Sequence, residues 1–228
     1  MALSEREMKQ EAVHHVPFWW HTIDLGDGVV TPGQIPAEEQ ELRALAIPSS
    51  LQGKTVLDLG CWDGFFSFWC EHRGAIVTPV DNFQYRDFVK SKYGVELQGG
   101  EGFKVTAHWL GSRLKIVHKD FTELETPFDI VLFLQILYHQ RDPLGALEHL
   151  FKLTRECAVV ETHYLKDESR PILHFYPGSS LNSDPTNIWG PSLSCVELML
   201  LEVGFRSVRL VSTYDGVDDD RAIFLAEK

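Results

Sequence analysis

The stretch Lys54-Thr55-Val56-Leu57-Asp58-Leu59-Gly60-Cys61-Trp62-Asp63-Gly64 restricts the possible folds more than any other part of the chain. Thr55–Leu59 is apolar and short, as a buried strand is, and Gly60 and Gly64 bracket a tight turn before an apolar helical run at 64–73. A buried strand feeding a helix through a glycine turn opens a parallel βαβ unit. It is also a ligand-binding arrangement. Glycine lets backbone N–H groups approach a ligand, and the helix N-terminus presents the positive end of its dipole. The pyrophosphate fingerprint GxGxxG is missing, and the acids Asp58 and Asp63 suit a cationic ligand better than a phosphate.

Downstream, short apolar runs alternate with amphipathic ones. Strands are predicted at Thr55–Leu59, Ala75–Val80, Leu114–His118, Asp129–Leu134, Glu156–Glu161, Phe205–Val211 and Arg221–Ala226. Helices are predicted at 37–46, 64–73, 83–93, 101–112, 143–154 and 195–203, the last with Ser194 and Glu197 in capping-box spacing. The expected fold is α/β: a Rossmann-like, seven-stranded, mostly parallel sheet with helices on both faces. The domain spans residues 49–228, preceded by an aromatic-rich lid or cap segment over 1–48. Residues 162–191 form a long excursion rich in Pro and Ser.

A chain of 228 residues suffices for one such domain. It has no apolar run of about 18 residues that would span a membrane, and its start, MALSEREMKQE, has no apolar signal core. The four cysteines show no CxxC spacing, so neither a disulfide frame nor a structural zinc site is expected, and the expected location is cytoplasmic. The net charge is −12, and the first fifty residues hold three basic side chains (Arg6, Lys9, Arg43) against eight acids. Nucleic-acid binders carry basic patches that displace counterions, so this balance weighs against a polynucleotide substrate.

Two further acids extend the pattern. Asp81 closes the second strand, where a carboxylate accepts ribose hydroxyl protons in dinucleotide folds. Asp120 follows the third and is trailed by Phe121, a pair suited to an adenine amine and one ring face. Gly60, Cys61, Asp63, Asn82, Leu134 and Gln135 flank the same strand ends and complete the expected cofactor set. Three acids after three successive strands resemble the class I methyltransferase superfamily across residues 54–228. The resemblance implies S-adenosylmethionine as cofactor, with contacts at Asp58, Gly60, Asp81 and Asp120. One departure stands out: the middle glycine of the usual GxGxG is Trp62, so either its ring points away from the methionine moiety or the cofactor sits slightly differently.

A closer resemblance is carried by Leu137-Tyr138-His139-Gln140-Arg141-Asp142-Pro143-Leu144, Val160-Glu161-Thr162, Tyr176-Pro177-Gly178, Asn187-Ile188-Trp189-Gly190-Pro191-Ser192 and Arg221-Ala222-Ile223. These are similar to the tRNA wobble-uridine methyltransferase/carboxymethyltransferase group. Trp20-His21-Thr22-Ile23-Asp24-Leu25 is similar to that group's small relatives. In the carboxymethyl-transferring members a lysine, a tyrosine and an arginine grip the extra carboxylate of carboxy-S-adenosylmethionine. The tyrosine matches Tyr138 and the arginine Arg221, but the lysine position falls near His15, with no lysine beside it. A neutral imidazole holds a carboxylate poorly, so the plain donor is expected. The tRNA enzymes also carry a longer N-terminal region, which with the acidic charge favours a small-molecule acceptor.

Methyl transfer to a hydroxyl benefits from a base with a pKa near the working pH. Three histidines fall outside the carboxyl ends of the strands, where an acceptor belongs: His139, His163 and, on the N-terminal segment, His21. Each has the alternative of a merely structural role. Tyr138 and Arg221 are expected to orient an anionic group of the acceptor, and Trp20, Tyr176 and Trp189, with Phe18, Trp19 and Phe175, to close over it as an aromatic lid. The alternative is that these rings fasten the N-terminal segment to the domain. No metal is expected, since no histidine pair has a spacing as specific as HExxH. Two other functions fit the same residues. A wobble-uridine tRNA enzyme requires a basic strip near Arg141, Lys152, Arg155, Lys166 and Arg170, and a non-catalytic cofactor-binding protein requires no base at all.

Overall fold

Alternate residues of a strand face opposite sides of a sheet, and the apolar pairs of this chain therefore build two cores. In the computed structural model, which describes residues 3–216 and 220–228, Leu57, Leu59, Val131 and Phe133 face one side, and Val56, Ile130 and Leu132 the other. The first side is covered by Leu147 and Leu150 of one helix and Val196 and Leu200 of another, the second by Phe66 and Cys70. Full burial of each such large side chain contributes about 1.5–3 kcal/mol.

The elements run α1 (Glu5–His15), α2 (Ala37–Ala44), β1 (Thr55–Leu59), α3 (Phe65–His72), β2 (Ile76–Val80), α4 (Arg86–Tyr93), α5 (Glu101–Trp109), β3 (Phe128–Leu134), α6 (Pro143–Leu153), β4 (Thr154–His163), β5 (Leu173–Phe175), β6 (Trp189–Pro191), α7 (Leu193–Glu202), β7 (Ser207–Asp215) and β8 (Asp220–Glu227). The main sheet has the order β2-β1-β3-β4-β8-β7. Strands β1 to β4 pair in parallel, and β8 runs antiparallel between β4 and β7. Within the excursion, β5 and β6 form a two-stranded ribbon.

The main sheet has six strands, not the expected seven. Leu114–His118 forms no strand, and only Val117 bridges to Val80. Its amide donates to the Pro79 carbonyl at 2.8 Å and its carbonyl accepts from Asp81 at 3.2 Å. The preceding rung of a parallel ladder would need an N–H from residue 79, and proline has none.

The N-terminal segment begins with a helix that the sequence reading did not anticipate. Ser4 and Glu7 form a capping box at the start of α1, and Val13, Val16, Trp19, Ile23, Leu25 and Val29 make a small core against Val105 and Trp109 of α5. Helix α7 is capped by Ser192, whose Oγ accepts from the Cys195 amide, rather than by the expected Ser194, whose hydroxyl donates to the Ser169 carbonyl. No helix among the described residues is long and apolar enough to cross a membrane.

Candidate functional site

The parallel strands end together, and above their carboxyl ends lies a cleft of about 930 Å³, at the upper end of the range of about 300–1,000 Å³ for ligand pockets. Every residue expected on the cofactor side lines it except Asp63: Asp58 in β1 and Gly60–Cys61 after it, Asp81 and Asn82 after β2, Asp120 and Phe121, and Leu134 at the end of β3 with Gln135 after it. The turn after β1 needs left-handed backbone. Gly60 takes it at φ +67°, and Trp62 takes it at φ +46° where a glycine commonly sits, which costs a non-glycine residue about 1–2 kcal/mol. The strain is met by contacts. The Trp62 amide donates to Asp81 Oδ2 at 2.9 Å, and its ring packs edge-on against Phe18, Phe83 and Tyr85.

The floor is acidic, and Asp58 and Asp81 are buried in it. Burial pushes the Asp58 carboxyl up to about 7, opposed by the hydrogen bond from Ser67 Oγ at 2.6 Å, with the Asp81 charge adding to the rise. Burial also raises Asp81, whose two oxygens accept from the Phe83 and Trp62 amides. Asp120 is more open. Its Oδ1 accepts from the Thr122 amide and hydroxyl, and its Oδ2 accepts from Asn82 Nδ2. Buried carboxylates whose charged form is disfavoured fit a ligand bearing an ammonium and a sulfonium, and each retains lone pairs for hydroxyl groups.

Asp63 does something else. Its Oδ2 accepts from the Trp20 amide at 2.6 Å and the His21 amide at 3.0 Å, so it ties the N-terminal segment down over the turn. Helix α5 closes round the same carboxylate, since a Cβ on Gly102 would sit 2.2 Å from Asp63 Oδ1. Burial raises Asp63 to about 7 against those two amide bonds.

In the same lining, a single 3-10 turn after β3 (Leu137–His139) presents Tyr138 and His139. Arg221 of β8 donates from Nη1 to the Tyr138 hydroxyl at 2.8 Å. His139 Nδ1 lies 3.0 Å from the Thr186 carbonyl. His21 also lines the cleft, but it is buried between the rings of Phe65 and Phe66. Burial, with the Arg43 charge adding, drives it down to about 3, too weak for a base at neutral pH. His163 lies outside the cleft lining, 3.4 Å from the Tyr176 hydroxyl. Trp189 is outside it too. Its Nε1 donates to the Gln140 carbonyl and its ring packs on Phe175, which fastens the excursion to the β3 turn. The expected aromatic lid therefore divides. Trp20 lines the cleft, beside Tyr85 and Phe18, while Tyr176 and Trp189 pack within the excursion.

Four residues that the sequence reading did not single out also matter. Tyr85, Thr186 and Arg43 line the cleft. Asp184 and Arg43 line a recess of about 30 Å³ that shares Tyr138 with the cleft and reaches Arg221. Arg43 is buried, its Nε 3.4 Å from Glu161 Oε2 and donating to the Tyr214 hydroxyl at 3.0 Å. Tyr214 in turn donates to Glu161 Oε1 at 2.8 Å. Among the described residues, no group of three or more His, Cys, Asp or Glu side chains is arranged to hold a metal ion.

Residues 34–209 match the family described as a methyltransferase domain. The tRNA U34 carboxymethyltransferase of Sulfurimonas denitrificans is 28% identical over 175 residues, covering 72% of this chain and 52% of that protein. The chain thus spans about half the length of the curated relatives it matches. Among solved structures, the magnesium protoporphyrin IX methyltransferase of Synechocystis with bound S-adenosylhomocysteine has a TM-score of 0.61 at 17% identity, covering 99% of this chain and 95% of that one. The 1,6-didemethyltoxoflavin-N1-methyltransferase of Burkholderia thailandensis has a TM-score of 0.57 at 18% identity, covering 84% and 78%. Both likenesses are of fold.

Proposed function

The chain belongs to the methyltransferase-domain family, and on that premise we propose that it transfers the methyl group of S-adenosylmethionine to a hydroxyl of a small molecule, with His139 as the base. The observation that carries this reading is one cleft holding both halves of the reaction. Asp58, Asp81 and Asp120, expected on the cofactor, line the same cleft as Tyr138 and His139, expected on the acceptor. When bound, the cofactor supplies an electrophilic methyl on a sulfonium, whose charge is lost on transfer. The protein's part is alignment and exclusion of water. Asp58 and Asp81 take the cationic and ribose groups, His139 receives the hydroxyl proton of the acceptor, and Tyr138 with Arg221 orients an anionic group on it. The Trp20 and Trp62 rings shield the cleft from water.

The acceptor class rests on charge. Of the five basic residues a tRNA strip would use, Lys166 pairs with Asp215 and Asp220, Arg170 with Glu168 and Arg155 with Asp129. Arg141 and Lys152 line the cleft itself. Neutralised cations release few counterions on meeting phosphates, which supports a small acceptor. The names of the curated relatives favour the second reading, wobble-uridine modification of tRNA. The resemblance of Tyr138 and Arg221 to the carboxymethyl-transferring group brings in carboxy-S-adenosylmethionine as donor. Arg43, on the recess shared with Tyr138 and Arg221, adds a second guanidinium there, although Glu161 engages it.

The test is to incubate the protein with methyl-labelled S-adenosylmethionine and either a small-metabolite fraction or bulk tRNA lacking wobble modification, at low and moderate salt. Label is expected in the small-molecule fraction. It should be lost in His139→Gln while calorimetric affinity for S-adenosylmethionine stays within about twofold. Salt-sensitive labelling of tRNA would establish the second reading instead, and tighter binding of the carboxylated cofactor would replace the plain donor.

A further inference from the structure

We propose that Asp184 is a positioning residue that acts through Thr186 to hold the His139 ring in the Nδ1–H tautomer, leaving the lone pair of the neutral ring on Nε2. The inference rests on the reading of His139 as the base, and its test uses no turnover, so the two fail separately.

The number of hydrogens available around His139 Nδ1 decides the tautomer. Asp184 is buried, and its Oδ1 accepts from the Thr186 amide at 2.8 Å and the Thr186 hydroxyl at 2.6 Å. Its Oδ2 accepts from the Tyr85 hydroxyl at 2.8 Å. A threonine hydroxyl has one hydrogen. With that hydrogen on Asp184, Thr186 Oγ1 offers only lone pairs to His139 Nδ1, 3.1 Å away. The second atom facing Nδ1, the Thr186 carbonyl at 3.0 Å, is also only an acceptor. Two acceptors at one ring nitrogen require a hydrogen there, and in a neutral imidazole the basic site is then Nε2. Asp184 holds both acceptors in place, the hydroxyl by orienting its hydrogen and the carbonyl by tethering the Thr186 amide. Tilted ring contacts hold the same pose, the His139 ring centre lying 4.1 Å from that of Tyr138 and 5.6 Å from that of Tyr85.

The chain of bonds joins three separate parts of the sequence. Tyr85 precedes α4, His139 follows β3 and Asp184–Thr186 sits in the excursion. A turn with only a structural role would not need its carboxylate to govern a ring nitrogen on another element.

The experiment is two-dimensional long-range ¹H–¹⁵N NMR of the histidine-labelled protein at neutral pH, with His139 assigned by difference against His139→Gln. In the wild type, His139 should give a protonated-type shift at Nδ1 and an unprotonated-type shift at Nε2. Asp184→Asn keeps an acceptor for Thr186 and should retain that pattern, whereas Asp184→Ala should lose the single-tautomer signature. Tyr85→Phe removes only the outer donor and should keep it, which preserves a reading should the alanine variant fold poorly. An Nε2–H ring in the wild type, or an unchanged ring in a folded Asp184→Ala protein, would overturn the proposal.

Discussion

The Arg221 guanidinium donates to the Tyr138 hydroxyl at 2.8 Å and lies 4.9 Å from the centre of the Tyr138 ring. The pair joins β8, which runs antiparallel, to the turn after β3, and both residues are buried. Removing the hydroxyl in Tyr138→Phe deprives a buried charge of an acceptor, a change worth about 1–3 kcal/mol. Urea unfolding should therefore show that loss for Tyr138→Phe, while affinity for S-adenosylmethionine stays within about twofold, as the proposed acceptor role of the pair requires. A drop in cofactor affinity above about tenfold would place the pair on the donor instead.

A cofactor contact at Asp58 predicts a pH-dependent affinity. Burial pushes its carboxyl up to about 7, so it is mostly protonated below that pH and attracts an ammonium in its charged form. Affinity for S-adenosylmethionine is expected to rise with pH through 7 and then level, with proton release on binding near pH 6.5, read by calorimetry in buffers of different ionisation enthalpy. Asp58→Asn should weaken binding at pH 8 by about tenfold, equivalent to about 1.4 kcal/mol, and flatten the slope. A slope unchanged in the variant would assign the proton elsewhere.

Asp63 and His21 oppose each other in the stability of the ligand-free protein. Asp63 is raised in the fold to about 7, so the folded state binds its proton more tightly than the unfolded chain does. That contribution is fully present below the unfolded carboxyl pKa and is lost as pH rises through 7. His21 is lowered to about 3, so its contribution is fully present above the ordinary histidine pKa and is lost as pH falls toward 3. Denaturant midpoints should show His21→Phe less sensitive to acid than the wild type between pH 6.5 and 4. Asp63→Asn should be less sensitive to rising pH between 4 and 7. Parallel curves for either variant and the wild type would reject that assignment.

Asp58 and Asp81 were legible because strand periodicity places them in β1 and just after β2, whereas Asp120 reaches the cleft although the run before it forms only the single bridge at Val117. The seventh strand misled because its failure lies in Pro79, a residue of the neighbouring strand rather than of Leu114–His118. The role of Asp63 was not legible either. Its spacing fits a cofactor acid, and only the folded N-terminal segment reveals two amides arriving from Trp20 and His21. Helix α1 buries just Lys9 and Val13, so it offers little periodic stripe, and its capping box was the one available signal. Arg43, Asp184 and Thr186 gain their meaning from partners far along the chain. Arg43 meets Tyr214 across 171 positions and Thr186 meets His139 across 47, distances over which local pattern carries no information.

The Arg43–Glu161–Tyr214 triad allows a last prediction that separates an ion pair from its geometry. All of it sits between α2, β4 and β7, with Glu161 buried at 0% exposure and Arg43 at 2%. Breaking a buried pair leaves a charge without compensation and costs about 3–5 kcal/mol, whereas replacing both partners by apolar groups is often nearly neutral. Arg43→Met is thus expected to lose about 3–5 kcal/mol in urea unfolding, with Glu161→Leu losing a similar amount. The double variant should recover at least half of either loss, a coupling far above the roughly 0.3–0.5 kcal/mol error of additivity. Because Arg43 also lines the recess beside Tyr138 and Arg221, the double variant reports on the acceptor end as well. If it regains stability but not transfer, the guanidinium serves the acceptor. If it regains both, Arg43 is a strut holding α2 against the sheet. Losses that simply add in the double variant would mean the two charges are not coupled.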